Sequence, residues 1–285
     1  MYNYIDINLE EAKPIIKLAL EEDIKSGDIT TNAIVIDNKI ATMTFLFKED
    51  GVIAGIPLLK YVMNFFNCRY EIENLANEGD YLLNGKVAVK IEAPVGVLLQ
   101  AERTMLNFIQ RMSGIATKTY KFVQILKPYS TKILDTRKTV PGNRLLDKYS
   151  VRTGGGCNHR FGLFDMVMIK DNHIKAAGSI SEAVKAVRNL YGDKYKIEVE
   201  TSNLIEVDEA LANKADIIML DNMQIEVIKE SVLLINKKAI TEVSGNITEE
   251  KLIMLGEIGI DYISSGALTH SVKALDISGK INIGD

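Results

Sequence analysis

The sequence has 285 residues, of which 47% are hydrophobic and 25% charged, with a formal net charge of -4. This composition is ordinary for a globular protein of one or two domains, and the negative charge argues against a nucleic-acid-binding protein. The sequence has no 18-residue apolar run, and its first ten residues lack the basic and apolar regions of a secretory signal. It therefore predicts neither a membrane span nor secretion. The two cysteines form no CxxC motif, which favours a cytoplasmic protein.

The first hundred residues predict a mixture of helices and strands. Leu9–Glu22 and Pro57–Asn67 have helical spacing, and Ala41–Lys48 and Lys86–Ala93 alternate as strands do. A long helix is predicted over Val97–Thr117. Its expected buried side consists of Leu98, Leu99, Met105, Leu106, Phe108, Ile109 and Met112.

After about residue 115, short β-rich runs alternate with helical stretches, which indicates a parallel sheet covered by helices. The runs are Lys132–Asp135, Met166–Lys170, Lys196–Glu200, Asp216–Asp221, Ile240–Ser244 and Asp261–Ser264. Polar residues end each run. This favours an α/β barrel over a doubly wound sheet, because barrels build their sites at the carboxyl ends of strands. Six runs instead of eight predict an incomplete barrel. Ala274–Asp285 predicts a last strand that returns to the first domain.

Basic residues are grouped near these strand ends. The group consists of Arg103, Arg137, Lys138, Arg152, His159, Arg160, Lys170 and Lys175. For any one of them a solvated surface charge is the simpler interpretation. Together they favour a site for a small ligand with several negative charges, since arginine binds carboxylates through two hydrogen bonds and lysine supplies a compact charge.

Two acidic residues, Glu200 and Asp221, each end an apolar run. Paired carboxylates serve as general acid and base, or hold Mg²⁺ beside substrate phosphates. Ion pairing with the neighbouring cations is the structural alternative. Magnesium is the better interpretation if the substrate carries phosphates.

Two Ser-Gly turns, Ser244-Gly245-Asn246 and Ser265-Gly266-Ala267, each lie between a strand and a helix. Backbone N–H groups at such positions bind phosphate. The three histidines, His159, His173 and His270, are too scattered for a zinc site, and His173 is a candidate capping residue. No GxSxG, Walker A or GxGxxG motif is present, which argues against serine hydrolases, P-loop enzymes and nicotinamide dehydrogenases.

These residues resemble the quinolinate phosphoribosyltransferase family, also called nicotinate-nucleotide pyrophosphorylase. The similarity covers nearly the whole chain, and the combination of TRKT, NHR and KDNH is highly specific. The matching stretches are EEDIKSGDITT at 21–31, QAERTMLNFIQRMSGIAT at 100–117, DTRKTVPGNR at 135–144, GGGCNHRFGLFDMVMIKDNHI at 154–174, IEVE at 197–200, MLDNM at 219–223 and SSGALTH at 264–270.

The resemblance implies an α/β sandwich domain over residues 1–114, with 271–285 returning to it. An incomplete α/β barrel of six to seven strands follows over 115–270. It implies an enzyme that transfers a phosphoribosyl group from 5-phosphoribosyl-1-pyrophosphate to quinolinate, with loss of CO2, in NAD biosynthesis. It also implies a cytoplasmic homodimer, or a higher homo-oligomer, with shared active sites and no nucleic-acid or membrane partner.

The resemblance also assigns site residues. The carboxylates of quinolinate are bound by Arg137, His159, Arg160 and Lys170, with Lys138 nearby, and Arg103 reaches the site of the neighbouring subunit. Glu200 and Asp221 contact the ribose and the Mg²⁺ of the phosphoribosyl donor. The 5-phosphate of the donor is bound by Ser244, Gly245, Asn246, Ser265, Gly266 and His270. Lys138, Lys170, Glu200 and Asp221 are the predicted catalytic residues. Asn246 stands where many relatives have glycine, and asparagine tolerates the left-handed backbone better than most residues.

Three other functions compete with this prediction. A ModD-like paralogue of the same fold would act on a different anion, a Schiff-base aldolase would use Lys170, and a non-catalytic anion-binding module would not need Glu200 and Asp221. Quinolinate binding and borohydride trapping distinguish them.

Overall fold

The computed structural model describes residues 7–35 and 39–283, so residues 1–6, 36–38 and 284–285 of the predicted domains lie outside the described residues. The strands are β1 (Ile40–Phe47), β2 (Gly51–Val52), β3 (Glu71–Asn74), β4 (Tyr81–Leu82), β5 (Val87–Pro94), β6 (Lys132–Leu134), β7 (Val167–Ile169), β8 (Ile197–Thr201), β9 (Ile217–Asp221), β10 (Ile240–Ser244), β11 (Tyr262–Ser264) and β12 (Ile277–Asn282). The helices are α1 (Lys13–Ile24), α2 (Ile29–Ile34), α3 (Leu59–Asn64), α4 (Val95–Leu126), α5 (Arg144–Thr153), α6 (Asp171–Ala177), α7 (Ile180–Tyr191), α8 (Leu204–Ala212), α9 (Ile225–Ile235) and α10 (Glu249–Ile258).

The chain divides into two compact units, and neither is continuous in sequence. The barrel unit consists of Lys121–Lys138 and Gly156–Ala267. The sandwich unit consists of the described parts of Asp6–Tyr120, Thr139–Gly155 and Leu268–Asp285.

The sandwich unit contains a four-stranded sheet in the order β12-β1-β5-β3. Every neighbouring pair is antiparallel, and β1 pairs with β12 from Thr42 opposite Asn282 to Phe47 opposite Ile277. Strand β1 alternates between buried and less buried residues, as expected for a strand with one face on a core. The predicted last strand is therefore present, and it forms an edge of this sheet.

Helices α1 and α4 contribute to the core of the sandwich unit. Ile16 and Leu20 of α1, Phe45 of β1 and Leu98 of α4 belong to one buried apolar cluster. The long helix was predicted, but Leu99 is 40% exposed although it was expected on the buried side. Leu98 is buried, and a helix rotates each successive side chain by about 100°.

An ion pair between the half-buried Arg111 and the buried Asp147 joins α4 to α5 inside the sandwich unit. Asp147 is fully buried and accepts hydrogen bonds from Arg111 Nε at 3.0 Å and Nη2 at 2.8 Å. The same carboxylate accepts from Asn143 Nδ2 at 2.9 Å and from the Val140 N–H at 3.3 Å. The Asp147 carboxylate thus also fixes the loop before α5.

The barrel unit contains six parallel strands in the order β6-β11-β10-β9-β8-β7. Strands β8 and β9 are buried along most of their length, which explains the nearly continuous apolar sequence of β9, whereas β8 carries the buried Glu198 between apolar residues. An isolated parallel bridge between Leu134 and Cys157 extends the β6 edge. Across the residues described, no pairing joins β6 to β7, so the barrel is incomplete, as predicted.

Among the described residues, no helix combines the length and apolar character needed to cross a membrane.

Candidate functional site

Functional side chains meet at the carboxyl ends of the barrel strands. Asp221 of β9 pairs with Ser244 of β10, and Ser244 pairs with Ser264 of β11. Glu200 of β8 pairs with Met219, two residues before Asp221 and therefore on the same face. This face includes Ile217, which packs in an apolar cluster with Leu134 and Met166. The strand order thus brings the predicted acidic residues and the first Ser-Gly turn to one edge.

Lys170 and Glu200 form a direct ion pair across the ends of β7 and β8. The side chain of Lys170 is 40% exposed and that of Glu200 is 17% exposed, so the pair is accessible from solvent. His173 caps the helix that follows, because its Nδ1 accepts the Lys170 N–H at 3.0 Å. The predicted capping role of His173 is confirmed, and it fixes the backbone that carries Lys170.

The turn after β10 packs closely on the end of β9. Gly245 has a φ of +97°, and a Cβ at this position would lie 2.0 Å from Asn222 Oδ1. Asn222 Nδ2 donates to Asp221 Oδ2 at 2.9 Å. Asn246 adopts a φ of +46°, which asparagine tolerates through its short polar side chain. Glycine at position 245 therefore allows Asn222 to hold the Asp221 carboxylate.

Lys251 is a further cation at this turn and was not among the predicted site residues. It lies in the first turn of α10, and its Nζ donates to the Gly245 carbonyl at 2.9 Å. Burial lowers the pKa of Lys251, whereas the negative charge of Asp221 acts in the opposite direction. Both effects indicate a partly buried ammonium group beside the acidic edge.

The segment that contains His159 and Arg160 is anchored at the end of β6. Asp135 is fully buried, and it accepts hydrogen bonds from the His159 N–H at 2.9 Å and from Asn158 Nδ2 at 2.5 Å. Arg160 Nη1 donates to the Met166 carbonyl at 3.1 Å. His159 is 5% exposed and Arg160 is 7% exposed, so both are nearly buried.

Two buried glutamates, Glu198 and Glu242, lie beside the His159 ring and were not predicted as site residues. His159 Nε2 lies 3.2 Å from Glu198 Oε2 and 3.5 Å from Glu242 Oε1. Strand periodicity could have found them. Glu198 lies two residues before Glu200, and Glu242 two residues before Ser244, so each shares a face with a predicted site residue.

Arg137 and Lys138 follow β6, and Ser265 and Gly266 follow β11. Arg137 is half-buried and Lys138 is exposed; the Lys138 N–H donates to Thr136 Oγ1 at 3.0 Å. Ser265 is buried, and its N–H donates to the Leu134 carbonyl at 3.0 Å. Since β6 and β11 are neighbours, both loops leave the same edge of the sheet.

The other predicted basic residues have different positions. Arg103 is exposed on α4, and exposed His270 lies with its Nδ1 2.5 Å from Ser271 Oγ, both in the sandwich unit. Arg152 lies on α5 of the same unit. Lys175 is 75% exposed and pairs with Asp171 one helical turn away at 3.5 Å, so it is an ordinary surface charge.

A cavity of about 1040 Å³ lies at the opposite, amino-terminal end of the barrel strands. Asp216, Ala239 and Asp261, which directly precede β9, β10 and β11, are among its lining residues. The chemistry-bearing side chains lie at the other end, where barrel enzymes place their sites. The carboxyl-end cluster is therefore the candidate active site.

Comparison with known proteins assigns the family. Residues 28–113 match the N-terminal domain of quinolinate phosphoribosyl transferase, and residues 115–280 match its C-terminal domain. A nicotinate-nucleotide pyrophosphorylase [carboxylating], chloroplastic, from Arabidopsis thaliana is 45% identical over 95% of this chain and 83% of its own. A probable nicotinate-nucleotide pyrophosphorylase [carboxylating] from Bacillus subtilis is 42% identical over 97% of this chain and 96% of its own.

A solved structure gives the same result. The nicotinate-nucleotide pyrophosphorylase from Francisella tularensis superposes with a TM-score of 0.92 and 38% identity, covering 99% of this chain and 100% of that chain. Fold and sequence similarity thus agree, and the chain belongs to the quinolinate phosphoribosyltransferase family.

Proposed function

We propose that this protein transfers a phosphoribosyl group from 5-phosphoribosyl-1-pyrophosphate to quinolinate and releases CO2, which gives nicotinate mononucleotide and pyrophosphate. The observation that carries this proposal is the cluster at the carboxyl ends of the barrel strands. There a lysine, two carboxylates and a glycine turn with left-handed backbone share one edge. These groups suit a substrate dicarboxylate, a ribose and a phosphate, respectively.

Quinolinate would be bound by the cations around the cluster. Arg160 and Lys170 can each meet a carboxylate, and Arg137 supplies a further guanidinium from the loop after β6, with Lys138 beside it and His159 next to Arg160. Guanidinium groups fix planar carboxylates in one orientation. Holding the ring nitrogen against the sugar is the main task, because the reaction requires no covalent bond to the protein.

The phosphoribosyl donor would lie along β8 to β11. Glu200 and Asp221 face the ribose, and their negative charges stabilise the positive charge that develops on the sugar as pyrophosphate leaves. The turns at Ser244–Asn246 and Ser265-Gly266 present N–H groups to the 5-phosphate, with His270 as a further ligand in the family.

The chemistry then follows from the substrate itself. The ring nitrogen of quinolinate attacks the anomeric carbon, and the bond from that carbon to pyrophosphate breaks. The alkylated nitrogen is cationic and accepts the electron pair left when the adjacent carboxylate departs as CO2, and a proton replaces the carboxylate. Arg137, Arg160 and Lys170 would hold the two carboxylates in position until CO2 departs.

Mg²⁺ is the proposed cofactor, and the residues fit it. Glu200 and Asp221 supply the hard oxygen ligands that Mg²⁺ prefers, and they lie on one face at the ends of adjacent strands. Lys170 contacts one carboxylate of this pair, so the ion would also need oxygen ligands from substrate phosphates and water. When bound, Mg²⁺ neutralises the leaving pyrophosphate.

We also propose that the protein is a cytoplasmic homodimer in which the exposed Arg103 of one subunit completes the active site of the other. Each subunit would have a sandwich domain over residues 1–114 and 271–285 and a barrel domain over residues 115–270. The two family matches meet between residues 113 and 115, which supports the boundary at 114–115. Heterodimers of an Arg103→Ala chain and a Lys170→Ala chain should recover activity that both homodimers lack, because one site regains both residues. Mixed dimers without activity would refute the shared site.

The test of function is a pyrophosphate-release assay with both substrates. Release should require quinolinate, the donor and Mg²⁺ together, and mass spectrometry should identify nicotinate mononucleotide. Glu200→Gln and Asp221→Asn should lower turnover while the chain stays folded. Activity with another anion but not with quinolinate would instead support the paralogue, and borohydride trapping on Lys170 would support the aldolase.

A further inference from the structure

Glu198 and Glu242 form a layer of carboxylates inside the barrel unit. Each lies two residues before a candidate active-site residue in its strand. Glu198 belongs to β8 and Glu242 to β10, and each is fully buried. In a strand, residues two positions apart share a face, so these side chains lie below those of Glu200 and Ser244. Buried carboxylates are rare unless charged or hydrogen-bonding groups compensate them. The pair therefore needs a role that explains its burial.

The His159 ring lies against both carboxylates. Its Nε2 is 3.2 Å and 3.4 Å from the two Glu198 oxygens and 3.5 Å from Glu242 Oε1. On the other side of the ring, Nδ1 accepts the Arg160 N–H at 2.7 Å. A nitrogen that accepts a hydrogen bond carries no proton, so the ring proton lies on Nε2 and points at the carboxylates.

His159 is thereby held at three points within the barrel unit. Glu198 orients Nε2 with the Glu242 carboxylate 3.5 Å from the same nitrogen, the Arg160 N–H occupies Nδ1, and the His159 N–H donates to buried Asp135. Arg160 follows directly in sequence and has a further anchor of its own, the bond from Nη1 to the Met166 carbonyl. The orientation of the His159 ring and the path of the backbone into Arg160 are therefore coupled.

We propose that Glu198 and Glu242 are positioning residues of the quinolinate site, which act by fixing the His159 ring and, through it, the backbone that presents Arg160. This inference rests on the proposed function, because it gives Arg160 a substrate carboxylate to bind. The glutamates lie below the site and act through His159. Their removal should therefore weaken quinolinate binding and leave binding of the phosphoribosyl donor nearly unchanged.

The first test measures the tautomer of His159 in the unmodified protein. The chain has three histidines, so a ¹⁵N-histidine NMR spectrum has few signals, and His173→Asn and His270→Asn variants assign the other two. We expect His159 to show a protonated Nε2 and an unprotonated Nδ1. A proton on Nδ1, or free exchange between the two tautomers, would overturn the proposal without any change to the site.

The second test uses isosteric variants and steady-state kinetics. Glu198→Gln and Glu242→Gln should each raise the KM for quinolinate by about ten-fold and the KM for the donor by less than about two-fold, since displaced binding groups weaken the substrate that they contact. Glu209→Gln is the matched control. Glu209 lies on α8 and accepts two hydrogen bonds from Ser181, both at 2.8 Å. It should leave both KM values unchanged.

A double-mutant cycle separates positioning from general destabilisation. If the glutamates act through His159, Glu198→Gln should add little to the KM change of His159→Gln, because both changes remove one interaction. Additive effects, or equal increases in both KM values, would overturn the proposal. An unmodified protein that releases no pyrophosphate from the phosphoribosyl donor when quinolinate is present would instead refute the proposed function, while the NMR result still decides how His159 is held.

Discussion

Replacing Gly245 by alanine tests the link between the turn after β10 and the carboxylate of β9. The change adds one methyl group at a residue with φ +97°, and the new Cβ would lie 2.0 Å from Asn222 Oδ1. Two separate costs follow. The backbone is strained because L-residues avoid this φ, and Asn222 must move because the contact is far shorter than van der Waals distance.

The structure allows a magnitude for each cost. Left-handed backbone costs a non-glycine residue about 1–2 kcal/mol, which appears as lost folding stability. Movement of Asn222 breaks its 2.9 Å hydrogen bond to Asp221 Oδ2. Such a bond contributes about 0.5–1.5 kcal/mol. If the bond holds Asp221 in the transition state, kcat/KM for the phosphoribosyl donor should fall by roughly two- to thirteen-fold.

Gly178→Ala is the matched control for the strain. Gly178 has a φ of +99°, and no atom lies within 4 Å of the position that the alanine methyl group would take. Both variants should lose about the same stability in urea denaturation, about 1–2 kcal/mol. The Gly245 variant alone should lose activity in the pyrophosphate assay.

Asn222→Gly removes the side chain with which the methyl group of Gly245→Ala would clash. In that background Gly245→Ala should lower stability as the control does, with no further loss of kcat/KM. The reasoning is refuted if the Gly245 variant keeps full activity, or if it loses the same activity whether or not Asn222 is present.

Three further predictions follow from other contacts. Arg137→Ala should weaken quinolinate binding by about 2–5 kcal/mol in calorimetry and leave donor binding unchanged, because the guanidinium would pair with a desolvated substrate carboxylate; near-normal quinolinate affinity would contradict this role. Asp147→Ala should lower the free energy of unfolding in urea by about 3–5 kcal/mol, because it leaves Arg111 without its buried partner; a loss below about 1 kcal/mol would contradict the assigned burial. Burial raises the pKa of Glu78 above its ordinary 4.5. The protonated carboxyl therefore stabilises the fold below that ordinary value, and this contribution is lost as pH rises through the raised pKa. The Tm of the unmodified chain, relative to Glu78→Gln, should increase as pH is lowered from 8 towards 4.5; a pH-independent difference would contradict the raised pKa.

The barrel strands could be predicted because their burial leaves a simple pattern. A parallel strand covered on both faces is apolar throughout, and it ends where polar groups reach solvent, as β9 does at Asp221. The pattern also marks the edge of the sheet where those groups meet. Lys175 was grouped with the site because it lies close in sequence to the end of a predicted strand. Its side chain is on the exposed face of a helix, and closeness in sequence does not show which way a side chain points.

Contacts between distant segments could not be predicted. Glu198 lies between Ile197 and Val199 in β8, and its partner His159 precedes it by 39 positions. Asp147 joins Arg111 across 36 positions, and no local motif marks either pair. Local periodicity reports which face a residue occupies, whereas the identity of its partner depends on how the segments pack.

The pairing of β12 with β1 determines when this protein can fold during synthesis. Strand β1 begins at Ile40, and its edge partner ends at Asn282, after all six barrel strands. A ribosome adds about 5–20 residues per second, so the β1 edge stays open for about ten seconds or more before its partner emerges. Unpaired edges recruit strands from other chains. We expect nascent chains that stall before β12 to depend on chaperones, and premature stop codons late in the gene to yield aggregates instead of a working barrel.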